Sequence, residues 1–171
     1  MLNIAGVVGD SIVDGPGIRV AIFCQGCPHH CPGCHNPETW PFEGGTPMEE
    51  EDLLQMVMSN PLARGVTFSG GEPFAQAGGF AKLAKLLKEK GYEVASYSGY
   101  TFEELLHGTA QQKALLEQLD VLIDGPFLLQ ERSLELVFRG SRNQRVLDVP
   151  KSLAAGQAVE VQAPRWHGIY A

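Results

Sequence analysis

Along the chain the spacing of apolar positions switches repeatedly between the period of a strand and that of a helix. "IRVAIFC", residues 18 to 24, is a short apolar and partly β-branched run that predicts a strand ending at the first cysteine. "TPMEEEDLLQMVMSN" (46 to 60) predicts a helix, with Thr46 as N-cap, Pro47 at the first helical position, Glu49 closing a capping box, and Leu53, Met56 and Val57 on its apolar face. "GVTFSGG" (65 to 71) predicts a second strand that ends in a double glycine. A helix follows, with Phe80, Leu83, Ala84 and Leu87 on one face and Gly91 as its stop. "YEVASYSG" (92 to 99) predicts a third strand. Thr101 with Glu104, and Thr109 with Gln112, repeat the capping-box spacing at the starts of two further helical pieces, and "VLID" (121 to 124) is a short buried strand stopped by Gly125 and Pro126. Farther on, "LELVFRG" (134 to 140), "RVLDV" (145 to 149) and "AVEVQA" (158 to 163) are strand-like, with a short helix or turn at "PKSLAAG".

Strands alternating with helices imply parallel βαβ units and an α/β fold. A closed eight-unit barrel takes ~250 residues. With 171 residues the chain holds about five or six units, so the expectation is a partial, open barrel or an open sheet, mainly parallel, of about five or six strands. The length fits a single domain over 1–171. In such folds functional groups gather at the C-terminal ends of the strands, where the cysteine loop, the Gly70-Gly71 turn, "SYSGY" and "DGPF" all fall.

Composition narrows the partners. The net charge is −7, and no run of Lys and Arg is long enough to track a phosphate backbone, so nucleic acid is not expected as a partner. No segment approaches the ~20 apolar residues of a membrane span. The N-terminal stretch has no basic region ahead of an apolar one, so export is not expected and the cytoplasm is the expected location. In that compartment thiols stay reduced, and the 4 cysteines read as metal ligands or redox groups rather than a disulfide framework.

Cys24, Cys27, Cys31 and Cys34 are spaced C-x2-C-x3-C-x2-C. Soft thiolates select zinc, Cu(I) or iron–sulfur clusters. A structural zinc site spaces its two C-x2-C knuckles by about a dozen residues or more, and the short gap between Cys27 and Cys31 makes it difficult for the chain to wrap an ion. A ferredoxin run has a different order of gaps. "SGGEP" (69 to 73), taken alone, reads as a glycine turn with Glu72 near the start of the next helix.

The sub-pattern Cys27, Cys31, Cys34, followed about 40 residues later by Gly70-Gly71-Glu72 on the next strand, resembles the radical S-adenosylmethionine (SAM) superfamily. The resemblance implies a [4Fe–4S] cluster on those three cysteines, with the fourth iron open to SAM. It also implies SAM contacts from Gly70, Gly71 and Glu72, and backbone contacts to adenine from the Gly33-Cys34-His35 stretch. Gly33 stands where many members carry an aromatic residue. Cys24 lies outside the signature and reads either as a small buried residue or as an alternative ligand, thiol donor or redox partner.

"DGPGIR" (14 to 19), "CHNPETW" (34 to 40), "SGYTFEEL" (98 to 105), "DVLIDGPF" (120 to 127) and "FRGSRNQR" (138 to 145) are similar to the activases of glycyl-radical enzymes, in particular the subfamily that serves anaerobic ribonucleoside-triphosphate reductase. That resemblance implies an oxidoreductase in which a flavodoxin-like or other low-potential donor reduces the cluster. SAM is cleaved to a 5′-deoxyadenosyl radical, and a glycyl radical is left on the partner reductase. It also gives Arg139, Arg142 and Arg145 a place at the SAM site or the docking surface, against the plain reading of a solvated basic loop. Two rivals remain: a radical SAM enzyme acting on a small molecule, and an electron carrier or zinc module, which leaves "GGE" and the three-plus-one cysteine spacing without a use.

Overall fold

The parallel core of the protein is four strands, β2 (Arg19–Cys24), β4 (Gly65–Gly70), β5 (Glu93–Tyr97) and β6 (Val121–Asp124). They lie side by side in that order in a computed structural model that describes residues 1–34 and 36–168. Antiparallel strands flank them: β1 (Leu2–Ser11) and then β3 (Thr46–Met48) beyond β2, and β7 (Arg145–Asp148) beyond β6. The order β3-β1-β2-β4-β5-β6-β7 is linear, so the seven-stranded sheet is open. The expectation of an open α/β architecture with a mainly parallel sheet holds, with more strands than the five or six anticipated.

The surplus comes from the N-terminal hairpin. β1 carries Gly6 and Gly9 and two register shifts against β2, which break the alternation that marks a strand in sequence. β3 corrects the reading of Thr46 as a helix cap. Leu2 pairs with Met48 and Ile4 with Thr46, so the ladder takes the backbone groups that a cap would have used, and Pro47 sits on an edge strand where its missing N–H is tolerated. Helix α1 (Glu50–Met58) therefore starts later, with Glu49 at its cap. Its buried face is Glu50, Leu53, Leu54 and Val57, and Met56 is exposed. The capping boxes at Thr101 and Thr109 form as expected, opening α3 (Phe102–Leu106) and α4 (Ala110–Gln118).

"LELVFRG" is not a strand. β7, not this segment, pairs with β6, and residues 134–140 loop out beyond an isolated bridge joining Arg132 and Ser141. "AVEVQA" makes one bridge, Glu160 to Leu147, and α5 (Val149–Ala155) covers the predicted helix or turn.

Strand alternation divides the sheet into two faces. Val20, Ile22 and Cys24 of β2, and Val66 and Phe68 of β4, pack against α1, α2 (Ala77–Glu89) and α4 in the main core. Phe23 and its register partner Ser69, with Tyr97 on β5, point to the other face. That face carries a smaller cluster around Trp166 at its lower end and an open cavity at its upper end.

Arg19 closes the lower end. Its guanidinium, 1% exposed, donates to Thr67 Oγ1 (2.9 Å), Glu93 Oε1 (2.9 Å) and Pro16 O (3.3 Å) and lies 5.2 Å from the Trp166 ring centroid. "DGPGIR" thus helps to build this end of the sheet. Asp14 O accepts from Thr67 Oγ1 (2.7 Å), and a Cβ on Gly15 would lie 2.7 Å from Arg19 Cδ. Burial opposes ionisation of Glu93, but hydrogen bonds from Arg165 and Arg19 prevail and hold its carboxyl below the ordinary value. A depressed carboxyl stabilises the fold above the unfolded value of about 4.3 and loses that contribution as pH falls through its folded value. Glu93→Gln is therefore expected to cost about 1–3 kcal/mol at pH 7, where Arg19 loses its charged partner, and to flatten the acid branch of a Tm-against-pH profile below about pH 4.3.

Candidate functional site

After β2 the chain turns through Gly26 (φ +109°), whose N–H donates to Thr39 O (2.7 Å), and Cys27 N–H donates to Trp40 O (3.0 Å). The cysteine loop is thereby folded against residues 36–41, and His30 stacks on Trp40 with centroids 4.8 Å apart. The end of β4 meets the loop from beneath. Gly71 N–H donates to Cys24 O and Glu72 N–H to Gly26 O, both at 2.8 Å. An added Cβ would lie 2.3 Å from Gly26 O at Gly71 and 2.7 Å from Cys24 N at Gly70, which also needs φ +88°. The double glycine thus lets two backbones touch.

Between these segments and the ends of β5 and β6 lies a cavity of about 550 Å³, within the range of small-molecule sites. Cys27, Cys31, Cys34, Gly70 and Gly71 line it, together with Phe23, Ser69, Tyr97 and the backbone around Ser98 and Gly99. Three cysteines therefore line one cavity. All three are free, and burial pushes the thiols of Cys27 and Cys31 above their ordinary range. Trp40 Nε1 is a buried donor with no partner among the described residues, and Trp40 lines the cavity as well.

Cys24 is placed differently. It belongs to the helix-side core, is 0% exposed, and donates its S–H to Ser69 O (3.3 Å). Burial drives its thiol pKa far upward.

Glu72 does not line the cavity. Its carboxylate is 0% exposed and turns inward, accepting from Phe74 N (3.0 Å), Gly99 N (2.7 Å) and Ser98 Oγ (2.9 Å), and pairing with His29 Nε2 (2.6 Å). Gly33 (φ +76°) is not in the cavity wall either; a Cβ there would meet Leu129 at 2.7 Å and Phe127 at 3.3 Å, in an apolar cover. The expectation for His35 lies outside the described residues.

The three arginines separate. Arg139 lines the cavity and donates to Gln144 O (3.0 Å). Arg145 is tied to Asp124 Oδ2 (2.5 Å) and Glu103 Oε1 (2.7 Å), chiefly through the Asp124 hydrogen bond that raises its pKa, and holds α3 to β6. Arg142 is exposed. Sequence reasoning missed His29, Ser98 and Trp40. His29 could have been suspected from its place inside the cysteine motif, but its partner lies 43 residues away and only the fold joins them.

Residues 13–147 match the model of a family described as a 4Fe-4S single cluster domain. The chain is 33% identical over 143 residues to the anaerobic ribonucleoside-triphosphate reductase-activating protein of Escherichia coli K12, covering 79% of this chain and 91% of the relative. It is 37% identical over 142 residues to the protein of the same name from Pasteurella multocida, covering 78% and 89%. It is also 40% identical over 107 residues to the pyruvate formate-lyase-activating enzyme of Clostridium pasteurianum, covering 57% of this chain and 45% of that enzyme. The cysteine loop, the glycine turn and the cavity they enclose all lie inside the matched region, and the chain belongs to the family of anaerobic ribonucleoside-triphosphate reductase-activating proteins.

Proposed function

We propose that the protein is a radical SAM activase that places a glycyl radical on an anaerobic ribonucleoside-triphosphate reductase. The observation that carries this reading is the division of the cysteines: Cys27, Cys31 and Cys34 on the wall of one cavity, and Cys24 on the far face of the sheet. Three soft donors beside an open cavity fit an incompletely ligated [4Fe–4S] cluster, and the partly exposed Gly70-Gly71 turn on the same cavity fits the close approach of a cofactor such as SAM. When bound, these groups supply one-electron reductive chemistry that ends in removal of a hydrogen atom from a glycine Cα.

The chain's own residues hold and exclude. Cys27, Cys31 and Cys34 hold the metal. The Gly70-Gly71 turn sets the height of the loop above the sheet, and Phe23, Tyr97 and Phe127 keep water from the cavity floor and wall. The open sheet leaves one side free for a loop of a macromolecular partner. A flavodoxin-like or other low-potential protein is the proposed donor, the cytoplasm the proposed location, and the reductase, not nucleic acid or membrane, the proposed partner.

Anaerobic reconstitution with iron and sulfide, then reduction in the presence of SAM and the reductase, is expected to yield 5′-deoxyadenosine and a glycyl-radical EPR signal that requires this protein. A preparation that takes up zinc alone and releases no 5′-deoxyadenosine overturns the reading. Release of 5′-deoxyadenosine with no signal on the reductase overturns the choice of partner.

A further inference from the structure

We infer that His29 is a positioning residue that latches the cysteine loop to the sheet through Glu72, so that the buried glutamate acts on the loop rather than on a ligand. The inference rests on the proposal that Cys27, Cys31 and Cys34 hold the metal. His29 lies midway between Cys27 and Cys31, and its Nε2 is 2.6 Å from Glu72 Oε1. Because Glu72 also accepts from the backbone N–H groups of Phe74 and Gly99, it is the acceptor at this contact too, and the ring nitrogen donates.

Four groups from three segments converge on one carboxylate with no exposure to solvent. Phe74 follows the β4 turn, Ser98 and Gly99 follow β5, and His29 alone comes from the cysteine loop. Breaking the His29 contact thus removes the loop's side-chain tie to this carboxylate, between Cys27 and Cys31, and leaves the other three bonds and the backbone bonds of Gly26 and Cys27 in place. The imidazole also has a fitted seat: a Cβ on Gly99 would lie 2.4 Å from its Cδ2, and the ring meets the Tyr100 ring edge-on at 4.6 Å between centroids. Glycine at 99 is what lets the ring reach Glu72. A hydrogen bond from a group next to metal ligands to a buried carboxylate is how proteins orient those ligands.

The test uses the full-length protein in two states. In the metal-free state, iodoacetamide labelling followed by mass spectrometry reads the freedom of Cys27, with Cys24 as internal reference. His29→Ala is expected to speed labelling of Cys27 at least about tenfold and leave Cys24 unchanged. His29→Gln, whose amide can donate from nearly the same point, is expected to stay within about twofold of wild type. In the reconstituted state, loss of iron to a chelator is expected to follow the same order. His29→Ala labelling at the wild-type rate overturns the latch. So does His29→Gln matching His29→Ala, because the hydrogen bond is then not the cause, and so does Cys24 accelerating along with Cys27, because the whole fold has then loosened. If the wild-type protein takes up no cluster, the proposed function fails, while the metal-free labelling still decides the latch.

Discussion

Gly71→Ala is expected to lower iron uptake on reconstitution at least about tenfold while the sheet stays folded, because the new methyl has nowhere to go. Its Cβ would lie 2.3 Å from Gly26 O, 2.8 Å from Gly26 C and 3.0 Å from Gly26 N. All three neighbours are backbone, so no side-chain rotation relieves the clash. The loop must lift, and lifting it lengthens the Glu72 N–H bond to Gly26 O, now 2.8 Å. Overpacking against rigid neighbours costs about 1–3 kcal/mol, and the loss of a buried backbone hydrogen bond adds about 1–3 kcal/mol. Together these are comparable to the stability of an ordinary domain only at their upper end, so displacement of the cysteine loop is expected before global unfolding. Gly91→Ala is the control: Gly91 has φ +87° but no heavy atom within 4 Å of an added Cβ, so that variant pays only for backbone conformation, about 1 kcal/mol, and should load iron normally. Far-UV circular dichroism and iron per chain distinguish the two. Wild-type loading by Gly71→Ala would show that the close contact does not govern the loop.

The helices and inner strands were legible because their signals are local. Phe80, Leu83, Ala84 and Leu87 fall on one buried face as their spacing requires, and two of the three predicted capping boxes, at Thr101 and Thr109, close. What sequence reading missed depends on long-range pairing. Thr46, Pro47 and Glu49 have the right chemistry for a helix start, but pairing with Leu2–Ile4, more than 40 residues away, takes the segment for the sheet. "LELVFRG" has strand propensity, but the place beside β6 goes to β7 and residues 134–140 lie outside the sheet. The site shows the same split. The three cavity cysteines were told from Cys24 by the resemblance of their C-x3-C-x2-C pattern to the radical SAM signature, and alternation on β2 gives the physical side of it: Cys24 is the last residue of the strand and follows Val20 and Ile22 onto the helix side, whereas the others come after the turn. The orientation of Glu72 was not legible, because its inward turn is decided by Ser98, Gly99 and His29, none of which signals the contact in sequence.

Replacing Cys27, Cys31 or Cys34 by alanine is expected to abolish SAM cleavage, a loss of at least about 100-fold, larger than the 10- to 100-fold that groups behind a metal ligand are worth. Cys24→Ala is expected to retain most of it. The four side chains differ in two independent ways that point to the same division. Geometrically, Cys27, Cys31 and Cys34 line the cavity, while Cys24 is packed among Ile22, Phe68 and the helices and would need its strand to rotate to reach the same space. Electrostatically, ligation needs a thiolate. The Cys24 thiol is held in an apolar core, where burial and then the nearby Glu72 charge keep it protonated. Burial also pushes up Cys27 and Cys31, but they open onto the cavity, where a cation can meet the emerging charge. Removing the Cys24 sulfur forfeits one weak hydrogen bond to Ser69 O and some packing, about 1 kcal/mol, which should lower Tm slightly without touching the cluster. The deciding measurement is iron and sulfide per chain beside 5′-deoxyadenosine yield for all four variants. Loss of the cluster in Cys24→Ala with retention in any of the other three would place the fourth thiol in the ligand set and reverse the division on which the proposed chemistry depends.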